Sequence, residues 1–294
     1  MKDSFKNLET EKISLKNKNN SDNINQIVDS FIDDDLNIKE ILTKNSKKIS
    51  KAIKLFIDTF ASGSNIYFLG AGTSGRLGII EAAECPPTFG TSPDRIVGII
   101  AGGKNAVFKS KEGVEDSLTE STTDLAKRNF SKNDLLIGLS ASGKSNYVLS
   151  GVEFARKLKA NTILITCNKV PKNTSNLDIF LNVGPEFVGG STRLKSGTMT
   201  KVALNMITTI SMIKLEKVYK NMMIDISPTT NKLRSRSIRN LSNILNIDDL
   251  KSIKLLEESN WDIRAAVFIS KMNISASEAK KLAKKISLVE LLNE

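Results

Sequence analysis

Two Gly/Ser loops and two glutamates are the parts of this chain whose residue types and spacing could do chemistry. The first loop is Gly70-Ala71-Gly72-Thr73-Ser74-Gly75-Arg76, and the second is Ser140-Ala141-Ser142-Gly143-Lys144-Ser145. Each follows a short apolar run and precedes a helix-length segment. Small residues let the backbone approach an anion, and hydroxyls together with helix N-terminal N–H groups donate to phosphate oxygens. One such loop says little, because tight strand–helix turns also favour Gly and Ser. A pair of them, both rich in hydroxyls, points to a bound phosphate. The stretch from Gly138 to Ser145 also fits the pattern G-x-x-x-x-G-K-[ST] of nucleoside triphosphatases, between a strand and a helix. The partners of that motif are missing: TILITCN ends in Asn168 rather than an acid, IFLNV has no terminal Asp, and NKVP lacks the aspartate of NKxD.

The glutamates are Glu84 and Glu115. Glu81 and Glu84 lie one turn apart on the helix expected after the first loop, so they share a face. Pro86-Pro87 is expected to stop that helix just after Glu84 and Cys85. A carboxyl at a helix C-terminus in an apolar, prolyl setting would suit a general acid. Local pattern leaves that role open against an ordinary surface carboxylate. The cluster Lys111-Glu112-Gly113-Val114-Glu115-Asp116, taken alone, reads as a solvated helix start.

The elements that must position these residues follow from the rest of the chain. It has 294 residues, 40% hydrophobic, a formal net charge of +11 and no histidine. Without histidine there is no Ser-His-Asp or Cys-His nucleophile and no His-ligated zinc, so acid–base work falls to carboxylates, Lys, Tyr or Cys. The positive balance suits an anionic partner. Lys, Asn and Ile are abundant throughout, so much of that excess is compositional. The lysines are not interleaved with aromatics as in a single-strand binder, which argues against nucleic acid. Cys85 and Cys167 have no metal-type spacing and are expected to be reduced and buried. The start MKDSFKNLETEK lacks an apolar signal core and no apolar run spans a bilayer, so no membrane is expected and the location reads as cytoplasmic.

Residues 1–25 form a polar arm, and apolar spacing from Asn23 to about Ser62 predicts helices, giving an N-terminal helical stretch over 26–62. Five short apolar runs follow, at 65–70, 95–103, 134–140, 161–167 and 179–184. Continuous rather than alternating, and separated by helix-length segments, they predict an α/β fold with a doubly wound parallel sheet of about five strands over 63–225. Ligands in such sheets sit at the carboxyl ends of the strands, near a switch point. One long helix is expected over 197–223. A small helical domain is expected over 228–294, with Ser277 ahead of one of its helices as a capping signal.

Taken together, GAGTSGRLG, ECPPTFG, GIIAGG followed by EGVEDS, the SASG loop and VGPEFVGGSTRLKSGTMTK closely resemble the N-acetylmuramic acid 6-phosphate etherases. These belong to the sugar isomerase (SIS) fold group and are related to the glucokinase regulatory proteins. The resemblance runs from about residue 8 into the C-terminal helices. It implies cleavage of the C3–lactyl ether of a phosphorylated amino sugar, N-acetylmuramic acid 6-phosphate, to N-acetylglucosamine 6-phosphate and D-lactate. That reaction is an elimination followed by water addition, with no cofactor and no metal. It further implies Glu84 as proton donor to the lactate and Glu115 as the second catalytic carboxylate, assigned the C2 proton. Substrate would be held by Thr73, Ser74, Ser140, Ser142, Gly143 and Ser145, with Glu186 a candidate for the sugar or for ring opening. Arg193 and Lys195 read as structural or interfacial, and Cys85 as packing. The family's SASGRTPY is SASGKSNY here, with the hydroxyl kept at Ser145, and the C-terminal helices depart most, from a tail that resembles a three-helix ubiquitin-associated fold. Enzymes of this group are commonly dimers, so a homodimer is expected. The alternatives are another SIS sugar-phosphate isomerase, a sugar-phosphate-sensing regulator, and the P-loop NTPase.

Overall fold

Apolar runs that end in Gly or Ser become parallel strands in the structure, a computed structural model that describes residues 7–14, 21–34, 37–226 and 228–292. Residues 1–6 and 15–20 of the expected polar arm lie outside the described residues, as do 293–294 at the end of the C-terminal helical stretch. A 3-10 turn at Glu9–Glu11 precedes helices α1 (Ile24–Asp33) and α2 (Ile38–Ala61). Then come β1 (Ile66–Gly70), α3 (Gly72–Phe89), β2 (Ile96–Ile100), α4 (Asn105–Phe108), a 3-10 turn at Val114–Asp116 and α5 (Glu120–Ala126). β3 (Leu135–Leu139), α6 (Asn146–Lys157), β4 (Asn161–Thr166), β5 (Leu177–Phe180) and α7 (Lys195–Lys214) follow.

The five strands are all parallel, in the order β2-β1-β3-β4-β5. β1 and β3 are buried along all five residues, as expected of central strands covered on both faces. After β1 the chain steps to one side to make β2, then returns across β1 to make β3. The switch point therefore lies between β1 and β3. Helices approach the sheet closely where glycine permits: a Cβ on Gly78 would lie 2.8 Å from Cβ of Phe68. On one face, Tyr67, Leu69, Leu136, Tyr147, Val148, Val152 and Leu164 form a buried cluster.

The chain divides into two compact units: Met1–Ala83 with Asp94–Thr209, and Glu84–Pro93 with Ile210–Glu294. The second unit holds a two-stranded antiparallel pair, β6 (Val218–Tyr219) and β7 (Met222–Met223), and helices α8 (Asn231–Leu245), α9 (Asp249–Glu258), α10 (Ile263–Met272), α11 (Ala276–Leu282) and α12 (Leu288–Leu291). Its core gathers Leu241, Leu256, Ile263, Ala266, Phe268, Ala279 and Leu288. Among the described residues no helix is long and apolar enough to cross a membrane.

Several expected boundaries move. The fifth strand runs over 177–180 rather than 179–184, because Ser175 and Asp178 close a turn that starts it earlier: the Ser175 amide and hydroxyl both donate to Asp178 Oδ1. The helix expected over 197–223 ends at Lys214. Glu216 takes positive φ, and Lys220-Asn221, both also at positive φ, turn the β6–β7 hairpin as a tight two-residue turn requires. Pro86-Pro87 do not stop α3, which runs on to Phe89. The prolines cost the helix the donors that would reach the carbonyls of Ala82 and Ala83, yet their fixed φ is itself helical. The turn closes where Gly90, at φ 64, donates to the Pro86 carbonyl. A side chain on Gly90 would meet the Asp225 carbonyl oxygen at 2.2 Å, so the final glycine of ECPPTFG is needed for packing. The cap of α11 is Ser275, in a reciprocal box with Glu278, while Ser277 lies inside the helix.

Candidate active site

Gly70 and Leu139 are paired in register at the ends of adjacent strands, so both hydroxyl loops leave the sheet side by side at the switch point. In the first loop, a Cβ on Gly70 would lie 2.5 Å from the Gly75 amide nitrogen, and one on Gly75 would lie 2.8 Å from the Gly70 carbonyl oxygen. Only glycine at both positions allows this turn, which brings Thr73 and Ser74 onto the first turn of α3. Arg76 is spent on structure, its Nε donating to the Val107 carbonyl and its Nη2 to that of Ala106. That fastens α3 to the segment leading toward Glu115.

The second loop is built by its own serines. Ser140 Oγ accepts from the Gly143 amide at 3.1 Å, and Ser142 Oγ accepts from the Lys144 amide at 3.1 Å. Ser145 caps α6 by accepting from the Val148 amide at 3.4 Å. Gly143 sits at φ +68, with Val170 Cγ1 where a Cβ would be. It shapes the turn and is buried, rather than lining the pocket. The pattern of a triphosphatase does not hold up here: Gly138, its first glycine, lies within β3 under Val148 and Val152 of α6, and Lys144 does not line the space between the loops.

A cavity of about 230 Å³ opens between the loops, and six hydroxyls line it: Thr73, Ser74, Ser140, Ser142, Ser145 and Thr192. The Ser145 proton goes to the Glu115 carbonyl at 3.3 Å. The other five find no acceptor among the described residues, so their protons are free to donate to an anion. Two helix starts converge on the same space, adding backbone donors and a positive dipole end. No Lys or Arg lines the cavity, while two carboxylates do, Glu11 and Glu115. Such a lining suits a phosphate held by neutral donors beside acid–base groups.

Glu115 stands on the 3-10 turn after Gly113, which takes φ 75. The first residues of α6 hold that turn: Ser145 through the Glu115 carbonyl, and Asn146 Nδ2 through the Asp116 carbonyl at 3.3 Å. The Glu115 carboxyl pKa is raised, first by partial desolvation and then by the like charges of Asp116 and Glu112. Glu84 lies on α3 within the second compact unit, exposed, and is not among the residues lining this cavity. Its helical neighbour Glu81 is buried, accepting from Lys201 Nζ at 3.1 Å and from the Thr208 hydroxyl. The two do not share one environment.

Glu186 is fully buried, and it holds the start of α7. Its two carboxylate oxygens accept from the amides of Lys195 (2.8 Å) and Ser196 (3.0 Å). Acidic side chains favour helix starts, and VGPE lies just ahead of one. Lys195 pairs with Asp34 at 2.7 Å, as a structural residue would, and Arg193 is exposed. Cys85 and Cys167 are buried and form no disulfide, and burial pushes Cys167 up to about 11, which leaves it inert. Glu11, Gly190 and Thr192 also line the cavity and were not expected there. Nothing in the local pattern of LETEK marks Glu11; Gly190 and Thr192 lie in the GGSTR stretch, whose Gly/Ser/Thr composition matches that of the two loops.

The comparisons with known proteins agree with this architecture. The family model of the glucokinase regulatory protein N-terminal SIS domain matches residues 48–156. An N-acetylmuramic acid 6-phosphate etherase of Clostridium botulinum (strain Loch Maree / Type A3) is 38% identical over 98% of this chain and 99% of its own. The protein of the same name from Clostridium beijerinckii is 41% identical over 87% of this chain and 84% of its own. Among solved structures, the c3406 protein of E. coli CFT073 aligns at a TM-score of 0.50 over 66% of this chain and 93% of that one. At 16% identity that likeness is one of fold.

Proposed function

Because this chain belongs to the N-acetylmuramic acid 6-phosphate etherases, we propose that it cleaves the lactyl ether of N-acetylmuramic acid 6-phosphate. The products are N-acetylglucosamine 6-phosphate and D-lactate, and the enzyme is a carbon–oxygen lyase. The observation that carries this reading is the near full-length identity with proteins of that name.

In the opened sugar, C1 is an aldehyde and the C2 proton is acidic. Glu115 takes that proton, and the C2 electrons move toward C1 as an enolate. They return to form a C2–C3 double bond as the C3–O bond breaks. The departing ether oxygen takes up a proton, a role the resemblance assigns to Glu84, and lactate leaves. Water then adds at C3 and a proton returns to C2. A raised pKa makes Glu115 a stronger base, which supports this assignment. The phosphate is held by Thr73, Ser74, Ser140 and Ser142, whose free protons support the reading. Ser145 and Gly143 contribute by shaping the loop, and Glu186 by holding α7.

The protein works as a cytoplasmic homodimer in amino sugar metabolism. The apolar face of α1, with Ile24, Val28, Phe31 and Ile32 exposed, is suited to cover by a second copy. The exposure of that face is what supports a dimer.

The test uses purified full-length protein, N-acetylmuramic acid 6-phosphate and chelator in H₂¹⁸O. Released D-lactate is expected, with label at the C3 hydroxyl of the sugar. No lactate sinks the reading, and label in lactate sinks elimination. Glu84→Ala should lose lactate release yet still exchange the C2 proton with D₂O; loss of both would reverse the split of roles.

A further inference from the structure

The pocket contains a carboxylate that the reaction above does not use. Glu11 lines it, and among the described residues no side chain bonds to its carboxylate. Lys12 beside it is taken by Glu9 at 2.8 Å. The residue before it is firmly anchored. Thr10 is fully buried, and its Oγ1 accepts from Asn168 Nδ2 at 2.9 Å. The same Nδ2 donates to the Ala141 carbonyl at 3.0 Å, inside the second hydroxyl loop. The Thr10 carbonyl accepts from the Gly190 amide at 2.9 Å, on another wall of the pocket. Opposite the carboxylate, a Cβ on Gly190 would lie 2.7 Å from Glu11 Oε2, so the glycine leaves the group its space. The N-terminal segment is thus fastened to two walls of the cavity at Thr10, and the next side chain is left unpaired within it.

We propose that Glu11 contacts the substrate and selects it by accepting hydrogen bonds from donors on the amino sugar. An ionised carboxylate can only accept. The phosphate and the lactyl carboxylate of the substrate are acceptors of like charge, so neither can be its partner. What remains on the sugar is a ring or chain hydroxyl, or the N–H of the N-acetyl group. Both are donors, and both belong to the part of the substrate that stays after lactate has left. The proposal rests on the etherase reading for the identity of the sugar.

The test is equilibrium binding of three probes to the full-length protein and to Glu11→Gln and Glu11→Ala. The probes are N-acetylglucosamine 6-phosphate, glucose 6-phosphate and inorganic phosphate. Losing a charge-assisted bond is expected to weaken the first probe by roughly ten- to hundredfold. Inorganic phosphate should bind as before. If the partner is the amide N–H, glucose 6-phosphate will be insensitive to the change; if it is a hydroxyl, it will weaken in parallel. In turnover, KM should rise more than kcat falls, and Glu11→Asp should recover part of the loss. Unchanged affinity for N-acetylglucosamine 6-phosphate overturns the proposal. So does tighter phosphate binding by Glu11→Ala, which would place the group at the phosphate. Should the alanine variant fail to fold, the isosteric glutamine variant gives the same readout. Absence of lactate from the wild-type protein would defeat the etherase reading by itself, while the binding panel would still decide whether Glu11 reads a sugar phosphate.

Discussion

The helix starts of the second compact unit and the start of α3 with the loop before α6 use the same residue types to opposite ends. In the second unit, α8 to α12 begin on Thr230, Asp248, Asp262, Ser275 and Ser287, and each side chain accepts from an amide of its own first turn. One orphan donor of each of those helices is met internally. At the pocket, Thr73 and Ser74 on α3 give their hydroxyl protons to no described residue. Ser140 and Ser142 brace their loop as acceptors and keep their protons unspent. A side chain whose hydrogen bonds close on its own helix is scaffold; a row of donors left open beside two helix starts supports the proposed phosphate site.

The comparison can be broken or sharpened by substitution. The largest effect is expected at Glu115. Glu115→Gln should lower kcat for lactate release by about 10²–10⁴, the range of a lost general base. Its raised pKa predicts an acid limb of kcat/KM above the usual glutamate range, since the base must be ionised and activity falls as pH drops through that pKa. The stability sign is opposite. A carboxyl with a folded pKa above its unfolded one binds its proton more tightly when folded, so it costs stability as pH rises through the folded value. Glu115→Gln should therefore not lower Tm near neutral pH, and a clear fall would assign Glu115 to the scaffold.

Glu186 accepts from two amides at the start of α7, as a cap does, where the sequence suggested a ligand contact. Glu186→Gln leaves one buried amide facing an –NH₂ group, and unfolding should show a loss of about 1–3 kcal/mol. Unaltered stability with impaired sugar binding would return Glu186 to the site. The next two substitutions form a reciprocal pair. Ser74→Ala should weaken inorganic phosphate by about tenfold or more with Tm unchanged, as expected for a donor to a charged group. Ser275→Ala should cost about 1 kcal/mol in stability and leave phosphate affinity untouched. If the two exchange outcomes, the distinction between closed and open helix starts fails.

Much of the first unit was legible because strands buried on both faces have to be continuous apolar runs, and because Gly/Ser loops after them have few uses. The two loops fall at strand ends as expected, and the resemblance to the etherases is borne out by 38% identity over nearly the whole chain to a protein of that name. Boundaries were less legible where a turn depends on backbone conformation. The β6–β7 hairpin needs positive φ at Lys220 and Asn221, and lysine gives no sign of it. Pro86-Pro87 misled for a related reason: a proline breaks a helix through a lost donor and a clash, yet its own φ is compatible with helix.

By itself, the sequence determined the parallel sheet, the two Gly/Ser loops at strand ends, the absence of histidine, and the family. Those features are local: each is written in a few consecutive residues and their apolar rhythm. Only the tertiary structure decided which polar side chains were already committed. Glu186, equivalent to Glu115 as a formula, is consumed by two amides of α7. Glu11 enters the pocket because Thr10 bonds to Asn168, 158 positions away. Whether a carboxylate or a hydroxyl is free to act depends on every donor and acceptor that the fold brings within about 3 Å, and neighbours from distant segments leave no mark on local spacing.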